Sequence, residues 1–251
     1  MAKKKFDAIL ACRVRGTRLY GKPLQLLDVE QRVTILEYLV KYVREIKHID
    51  SICLAIAEGQ ENHGFVEVAE RHGWHYIFGA EDDMLGRILK AAETLGTQIA
   101  FLDSTESPYL YHDKVDELFE RQVQESIQLA SISELPDGAS FALVDIESLK
   151  ISHRHASQRN KELVTSYIFD HQDDFKIHMA RPEPKLRRSD VRITVDYPED
   201  LVFCRQIYRD LGGRDRLVKV ADIIDYWDAQ PQRRKPVEDI GVDWGHGRLW
   251  A

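Results

Sequence analysis

The sequence predicts an α/β fold built on a doubly wound, mostly parallel sheet. Short apolar runs alternate along the chain with segments whose apolar residues recur at helical spacing. The runs over 4–12 and 51–57 are nearly continuous, which is typical of parallel strands covered on both faces. A chain of 251 residues with 43% hydrophobic content is long enough to bury one substantial core of this kind.

The first half of the chain is the more regular. Thr34 is a residue type favoured at helix N-termini, and apolar residues recur at helical spacing after it. In order we expect a strand over 4–12, a loop to 22, an extended or turn segment over 23–29, a helix after Thr34, a strand over 51–57, a helix over 65–73, a strand over 74–78, a helix over 83–95 and a strand over 99–102.

The second half has a weaker pattern. In order we expect a helix over 113–129, a weakly patterned stretch over 132–149, a helix over 161–170, strands over 175–180 and 191–195, and helices over 198–211 and 217–229. Residues 1–229 are interpreted as one domain. Residues 230–251 are interpreted as a polar C-terminal tail, which also contains Trp244 and Trp250.

Composition limits the classes of partner. The net charge of -7 leaves no long basic face for nucleic acid or an anionic membrane surface, so basic clusters must bind something small. No run of about 18 apolar residues and no secretion signal is present, which predicts a cytoplasmic protein. Three cysteines lie in apolar runs without metal-binding spacing and are expected to be buried thiols in a reducing compartment: Cys12, Cys53 and Cys204.

The loop after the first strand carries the most informative cluster. It has four cations and two glycines between Arg13 and Lys22. Backbone N–H groups of such a loop can surround a polyphosphate, which arginine and lysine side chains then neutralise. The loop is not a Walker A motif, because Pro23 follows Lys22 where serine or threonine is required. We interpret it as a phosphate site in which Arg13, Arg18 and Lys22 contact phosphate oxygens; a solvated basic turn is the alternative.

Carboxylates follow two other expected strands. Asp103 and Glu106 come after the strand over 99–102, and Asp196 comes after the strand over 191–195. Carboxylate oxygens are ligands that Mg²⁺ prefers, and a divalent ion bridges phosphate oxygens well. Singly, each residue is also typical of a turn or a helix cap. Together they predict a metal site beside the phosphate loop.

Four segments resemble a known family in sequence and order. Residues 13–22 read Arg-Val-Arg-Gly-Thr-Arg-Leu-Tyr-Gly-Lys, and residues 192–201 read Arg-Ile-Thr-Val-Asp-Tyr-Pro-Glu-Asp-Leu. With residues 81–87 and 162–167 they resemble the spore-coat-polysaccharide type of cytidylyltransferase. That family is related to the enzymes that make CMP-activated 2-keto-3-deoxy sugars and sialic acids.

The resemblance implies a fold and a reaction. The fold is the Rossmann-like, nucleotide-diphospho-sugar transferase type, as a homodimer with an arm in about residues 130–190. The reaction is Mg²⁺-dependent transfer of CMP from CTP to a sugar or sugar-like acid for surface polysaccharide, with release of pyrophosphate. CTP is expected as the donor, although the sequence does not decide between CTP and GTP.

The resemblance also implies roles for individual residues. Arg13, Arg18 and Lys22 are expected to be catalytic. The nucleotide-binding set is Ala11, Cys12, Arg13, Gly16, Thr17, Arg18, Lys22, Arg87, Ser104 and Thr105. The metal set is Asp103, Glu106 and Asp196, and the acceptor set is Asp137, Gly138 and Glu162.

The chain departs from the family pattern near the metal and the acceptor. Glu106 stands where the family has aspartate, Ala142 replaces an acid, and Leu163 replaces a histidine. We therefore expect an altered acceptor pocket. Two alternatives stay open: a catalytically silent nucleotide-binding homologue, and a glycosyltransferase that uses a nucleotide-sugar, although its usual Asp-x-Asp motif is absent.

Overall fold

A computed structural model describes residues 4–240 of the chain. Seven of its strands form one central sheet, and β2 and β3 form a separate two-stranded sheet. The strands are β1 (Phe6–Cys12), β2 (Leu26–Asp28), β3 (Val33–Thr34), β4 (Ile52–Ala57), β5 (His75–Gly79), β6 (Ile99–Leu102), β7 (Leu129–Ile132), β8 (Ala142–Asp145) and β9 (Ile177–Ala180).

Helices connect most of the strands. They are α1 (Ile35–Val43), α2 (His63–His72), α3 (Met84–Leu95), α4 (Val115–Glu125), α5 (Ile146–His155), α6 (Gln158–Glu162), α7 (Ser166–Asp170), α8 (Pro198–Asp210), α9 (Val220–Ala229) and α10 (Pro231–Glu238). Short 3₁₀ segments span Lys22–Leu24, Gln60–Asn62 and Pro184–Leu186.

The central sheet has the order β5-β4-β1-β6-β8-β7-β9. Strand β8 is antiparallel to both β6 and β7, and every other neighbouring pair is parallel. All strands except β8 therefore run in one direction and end at the same edge. The predicted doubly wound, mostly parallel sheet is confirmed, with β8 as the reversed strand.

Helices cover both faces of this sheet. Successive residues of a strand point to opposite faces, so Phe6 and Ala8 of β1 pack in one core cluster and Ile9 packs in another. The Phe6 ring stacks on Phe119 of α4 with 4.3 Å between the ring centres. Burial of apolar side chains on both faces is the reason that β1 reads as a continuous apolar run.

Most elements expected in the first half are confirmed. Thr34 caps α1, since its hydroxyl accepts a hydrogen bond from the backbone N–H of Glu37 at 3.1 Å. The expected strands over 51–57, 74–78 and 99–102 are β4, β5 and β6, with shifts of at most one residue at either end. The expected buried thiols are also confirmed, because all three cysteines are free and buried.

Several elements predicted for the second half of the chain differ from those in the structure. The helix expected to reach 129 ends at Ser126, whose φ of 53° is left-handed, and β7 follows. The strand expected over 191–195 is wrong, because Arg192 makes only an isolated bridge to Asp137. Helix α5 begins within the weakly patterned stretch over 132–149 and ends beyond it, at His155. The helix expected over 161–170 is two short helices separated at Leu163, whose φ and ψ are -107° and 78°.

The C-terminal segment begins with a helix. Helix α10 contacts α8 and α9, and its Val237 is buried. Trp244 and Trp250 of the expected tail lie outside the described residues. The expected boundary between 229 and 230 stays a prediction. Over residues 4–240, no helix combines the length and apolar character needed to cross a membrane.

Candidate active site

Four loops meet at the edge where the parallel strands end. They follow β1, β6, β7 and β9, and they comprise residues 13–22, 103–107, 133–141 and 181–197. Because β8 is antiparallel, the β7–β8 connection turns at this same edge. Ligands of open α/β sheets bind beyond the carboxyl ends of strands, so the sheet topology collects nearly all the sequence-predicted site residues here.

The loop after β1 folds back tightly on itself. The backbone N–H of Gly21 donates to the carbonyl of Val14 at 2.7 Å, and Gly21 has a left-handed φ of 61°. A Cβ atom at Gly16 would lie 2.6 Å from the carbonyl oxygen of Leu19. Both glycines are therefore needed for a loop this compact, which brings Lys22 back beneath the loop.

Lys22 lies at the centre of the site. Its side chain is only 7% exposed, and Nζ contacts Glu106 Oε2 at 2.6 Å and Asp196 Oδ1 at 2.8 Å. The guanidinium of Arg18 contacts the same Asp196 oxygen at 3.0 Å. Two residues predicted to bind phosphate and two predicted to bind metal thus form one cluster, from loops far apart in sequence.

A buried ion pair supports Asp196. The Arg192 side chain is 2% exposed and donates to both carboxylate oxygens of Asp200, at 2.9 and 2.8 Å, and to Asp196 at 3.1 Å. Asp200 also accepts hydrogen bonds from the backbone N–H groups of Asp196 and Tyr197, at 2.9 and 2.8 Å. Arg192 and Asp200 therefore fix the position of the Asp196 backbone and carboxylate.

The charges around Asp196 keep it ionised. Burial raises the pKa of its carboxyl, but the Lys22 hydrogen bond and the positive charges of Lys22, Arg18 and Arg192 outweigh burial and hold this pKa below its ordinary value. The carboxylate is consequently available as an anionic ligand at neutral pH.

Glu106 and Asp196 fit a Mg²⁺ ion by their chemistry and position. Both carboxylates contact one ammonium nitrogen, so their oxygens are close enough to share a cation. Mg²⁺ is commonly held by one or two carboxylates together with water and substrate phosphates. A complete protein cage is not formed: over residues 4–240, no group of three or more His, Cys, Asp or Glu residues is arranged to hold an ion.

Asp103, the third predicted metal ligand, has a different environment. It is buried, its Oδ1 accepts from the backbone N–H of Ser104 at 2.6 Å, and its Oδ2 has no hydrogen-bond partner within the described chain. Burial raises the pKa of this carboxyl well above its ordinary value, which favours the neutral form. A neutral carboxyl is a poor Mg²⁺ ligand, so this environment does not favour binding of a metal ion by Asp103. The metal role of Asp103 stays a prediction.

Arg87, predicted to lie near the nucleotide, is close to Cys12 and Arg13, and backbone carbonyl oxygens accept most of its hydrogen bonds. It is 2% exposed and donates to the backbone oxygens of Ala55, Ala80 and Glu81 at 3.3, 2.6 and 2.9 Å. Burial, followed by the nearby charge of Arg13, lowers the pKa of Arg87. These contacts indicate that Arg87 ties the ends of β4 and β5 to α3.

The other predicted nucleotide residues are divided between the surface and the base of the loop. The Thr105 hydroxyl donates to the carbonyl of Ala11 at 3.0 Å, which joins the loops after β1 and β6. Cys12 is buried, and burial raises the pKa of its thiol. Arg13, Gly16 and Thr17 are exposed, and Ser104 is half-buried.

The predicted acceptor residues separate into two places. Asp137 and Gly138 lie in the β7–β8 connection beside Arg192. Burial raises the pKa of Asp137 to about 6, although Arg192 opposes this rise. Glu162 is exposed at the end of α6, which packs against α3, α5 and α7. No described contact joins Glu162 to Asp137.

Replacing Gly138 by alanine will destabilise this connection. Gly138 has a φ of 92°, and a Cβ atom there would lie 2.7 Å from the backbone nitrogen of Thr194. Strain and overlap together should lower the free energy of unfolding by about 2–5 kcal/mol, measured by urea denaturation. Gly212→Ala is the control, since φ is 73° but no atom lies within 4 Å; it should cost about 1–2 kcal/mol. Equal losses would contradict the close approach.

The sequence analysis assigned no individual role to three residues that organise the site. Arg192 and its buried partner Asp200 entered the sequence analysis only as members of the segment over 192–201. Asn62, whose Oδ1 accepts from the backbone N–H of Val14 at 2.8 Å, had no sequence signal. For Arg192 and Asp200 the sequence does offer a signal, which is an arginine within an apolar segment and an aspartate eight residues later.

Two known proteins are similar to this chain in sequence. No family model matches the chain. An uncharacterized protein of Methanocaldococcus jannaschii is 26% identical over 231 residues, which are 91% of this chain and 92% of that protein. The spore coat polysaccharide biosynthesis protein SpsF of Bacillus subtilis is 23% identical over 212 residues, 82% of this chain and 87% of SpsF.

Solved structures share the fold. A cytidylyltransferase from Leptospira borgpetersenii has a TM-score of 0.82 at 19% identity, covering 92% of this chain and 96% of that one. A CMP:2-keto-3-deoxy-manno-octonic acid synthetase solved in complex with CTP has a TM-score of 0.63 at 11% identity, covering 82% and 99%. The fold is therefore the Rossmann-like fold of the nucleotidyltransferases. The SpsF relative and the cytidylyltransferase structure together confirm the resemblance of this chain to the spore-coat-polysaccharide type of cytidylyltransferase.

Proposed function

We propose that the protein transfers CMP from CTP to a sugar or sugar-like acid and releases pyrophosphate, in the synthesis of surface polysaccharide. The observation that carries this proposal is the cluster of Lys22, Arg18, Glu106 and Asp196 at the carboxyl edge of the sheet. It combines cations for a triphosphate with carboxylates for a divalent ion. The SpsF relative and the shared fold support the same class of reaction.

The chain's own residues would act mainly by positioning and charge. Arg13, Arg18 and Lys22 would bind triphosphate oxygens and align the α-phosphorus with an acceptor oxygen. That oxygen forms a bond to the α-phosphorus while the bond to the pyrophosphate oxygen breaks. Glu106 and Asp196 would hold Mg²⁺, which when bound neutralises the phosphate charges.

The position of Glu106 supports an active enzyme over a silent homologue. Although glutamate replaces the family's aspartate, Glu106 reaches the same ammonium group as Asp196, with 2.6 Å between Oε2 and Nζ. The backbone also braces this loop, since the N–H of Val195 donates to the carbonyl of Glu106 at 3.0 Å. This contact supports the proposed metal role for the longer side chain.

A thermal-shift screen of nucleoside triphosphates with Mg²⁺ tests the donor. CTP should raise the melting temperature most, because a ligand that binds only the folded state stabilises it by mass action. At 100 times its dissociation constant the gain is about 2.7 kcal/mol, or about 5–10 °C for a chain of this size. UTP, GTP, ATP and a nucleotide-sugar complete the panel.

Three outcomes separate the alternatives. A larger shift with the nucleotide-sugar than with any triphosphate would favour a glycosyltransferase. CTP binding without pyrophosphate release, across a panel of sugar phosphates and sugar acids, would indicate a silent homologue. No shift with CTP would contradict the proposal.

A further inference from the structure

Tyr197 joins the loop after β9 to helix α8, and its backbone is held in place. It precedes Pro198, and a residue before proline favours extended backbone; its φ and ψ are -116° and 161°. Its backbone N–H also donates to the buried carboxylate of Asp200 at 2.8 Å. The Tyr197 side chain therefore starts from a fixed point, one residue after Asp196.

The ring of Tyr197 contacts two guanidinium groups. The central carbon of the Arg18 guanidinium lies 5.1 Å from the ring centre, and that of Arg192 lies 5.7 Å from it. A cation within about 6 Å of an aromatic ring centre is attracted to the ring. The same two arginines contact different carboxylate oxygens of Asp196, at 3.0 and 3.1 Å. The ring and this carboxylate thus hold together two arginines from loops far apart in sequence.

The two arginines differ in how much they depend on the ring. Arg192 is buried and paired with the buried Asp200, so it is held in place without the ring. The Arg18 side chain is 41% exposed and belongs to the loop between β1 and the 3₁₀ segment that begins at Lys22. Ordering a long side chain costs conformational entropy, and a contact that orders it before the ligand arrives lowers the cost of binding. The ring is therefore more important for Arg18.

A contact with the ring leaves the N–H groups of Arg18 available to a ligand. The attraction acts on the charge as a whole, whereas a phosphate is bound through individual N–H donors. In the proposed function, Asp196 holds Mg²⁺ and Arg18 binds triphosphate oxygens, so their direct contact would be exchanged. The contact with Tyr197 does not compete with phosphate and can persist through this exchange.

We propose that Tyr197 is a positioning residue, which holds the guanidinium of Arg18 in place to bind the triphosphate. Tyr197 acts on the nucleotide through Arg18. The inference rests on the proposed function, because the role of Arg18 in binding a triphosphate is part of it.

Nuclear magnetic resonance of the ¹⁵N-labelled protein tests the contact without a nucleotide. The side-chain Nε–H signal of Arg18 is assigned by its loss in Arg18→Gln. An aromatic ring shifts the signals of groups that lie over it, so Tyr197→Leu should move the Arg18 signal. Tyr197→Phe keeps the ring and should leave the signal close to its original position. An Arg18 signal that does not move in Tyr197→Leu would overturn the proposal.

Calorimetry with CTP and Mg²⁺ tests the consequence for binding. Tyr197→Leu should weaken CTP binding by about 3- to 10-fold, the range expected for the loss of one cation–π contact. Tyr197→Phe should stay within about twofold of the parent protein. In the Arg18→Gln background, Tyr197→Leu should cause little further loss, because the two residues act through one contact. Equal losses with and without Arg18 would mean that Tyr197 acts by another route, such as Arg192, and would overturn the proposal.

Tyr76→Leu is the matched control. Tyr76 is 37% exposed and lies near the start of β5, away from the edge where the parallel strands end. Its substitution should change neither the Arg18 signal nor the affinity for CTP. Failure of the proposed function would appear differently, as absence of CTP binding by the parent protein. Thermal unfolding verifies that each variant folds.

Discussion

Replacing Lys22 by alanine will weaken CTP binding about 10- to 150-fold and slow pyrophosphate release about 100- to 1,000-fold. The ammonium group of Lys22 is a buried positive charge that the fold of the loop after β1 holds in position. It contacts both Glu106 and Asp196. Without it, these carboxylates repel each other and the triphosphate. Calorimetry with CTP and Mg²⁺ gives the affinity, and a pyrophosphate assay with a panel of sugar phosphates and sugar acids gives the rate.

Arg15→Ala is the control within the same loop. Arg15 is 65% exposed and pairs with Glu61 and Glu81 at 3.2 and 2.7 Å, away from Lys22. Its loss should change CTP affinity less than about twofold, since exposed ion pairs contribute little. If Lys22→Ala bound and turned over CTP like Arg15→Ala, the phosphate role of the loop would be wrong.

Arg192→Met will produce the largest loss of stability, about 3–5 kcal/mol. The substitution leaves the carboxylate of Asp200, which is 1% exposed, buried without its charge partner. The loss is measured by urea denaturation. Adding Asp200→Asn should recover part of it, because the amide carries no charge and its oxygen still accepts from the backbone N–H groups at the start of α8.

Arg188→Met tests whether burial causes this effect. Arg188 also pairs with two aspartates, at 2.8 and 2.7 Å, but its partners Asp190 and Asp228 are 61% and 53% exposed. Its substitution should cost at most about 1 kcal/mol. Similar losses for Arg188→Met and Arg192→Met would show that burial of the pair does not determine its contribution.

The main features of the site could be predicted because each has a local signal. An apolar strand followed by a glycine-containing cationic loop is continuous in sequence. Carboxylates placed after strands meet such a loop wherever parallel strands end at one edge. Lys22, Arg18, Glu106 and Asp196 were found in this way, and the structure joins them.

Other features depend on contacts that no short segment encodes. Val191, Ile193 and Val195 alternate because all three are fully buried, not because they pair with a strand; their alternation therefore imitated a strand. Strand β7 was overlooked because only three residues, 126–128, separate it from the end of α4. The fixation of Arg87 depends on how its side chain folds back on the carbonyls of Ala80 and Glu81 and on one carbonyl distant in sequence, that of Ala55.

The two anionic partners of Lys22 have a consequence for ligand exchange. Glu106 and Asp196 already neutralise the ammonium group, so a triphosphate that binds as proposed would replace them as its counter-ions. Dissolved salt screens the old contacts and the new ones alike. We therefore expect nucleotide affinity to be less sensitive to ionic strength than the number of cations in the loop would suggest, because Lys22 would exchange one set of counter-ions for another.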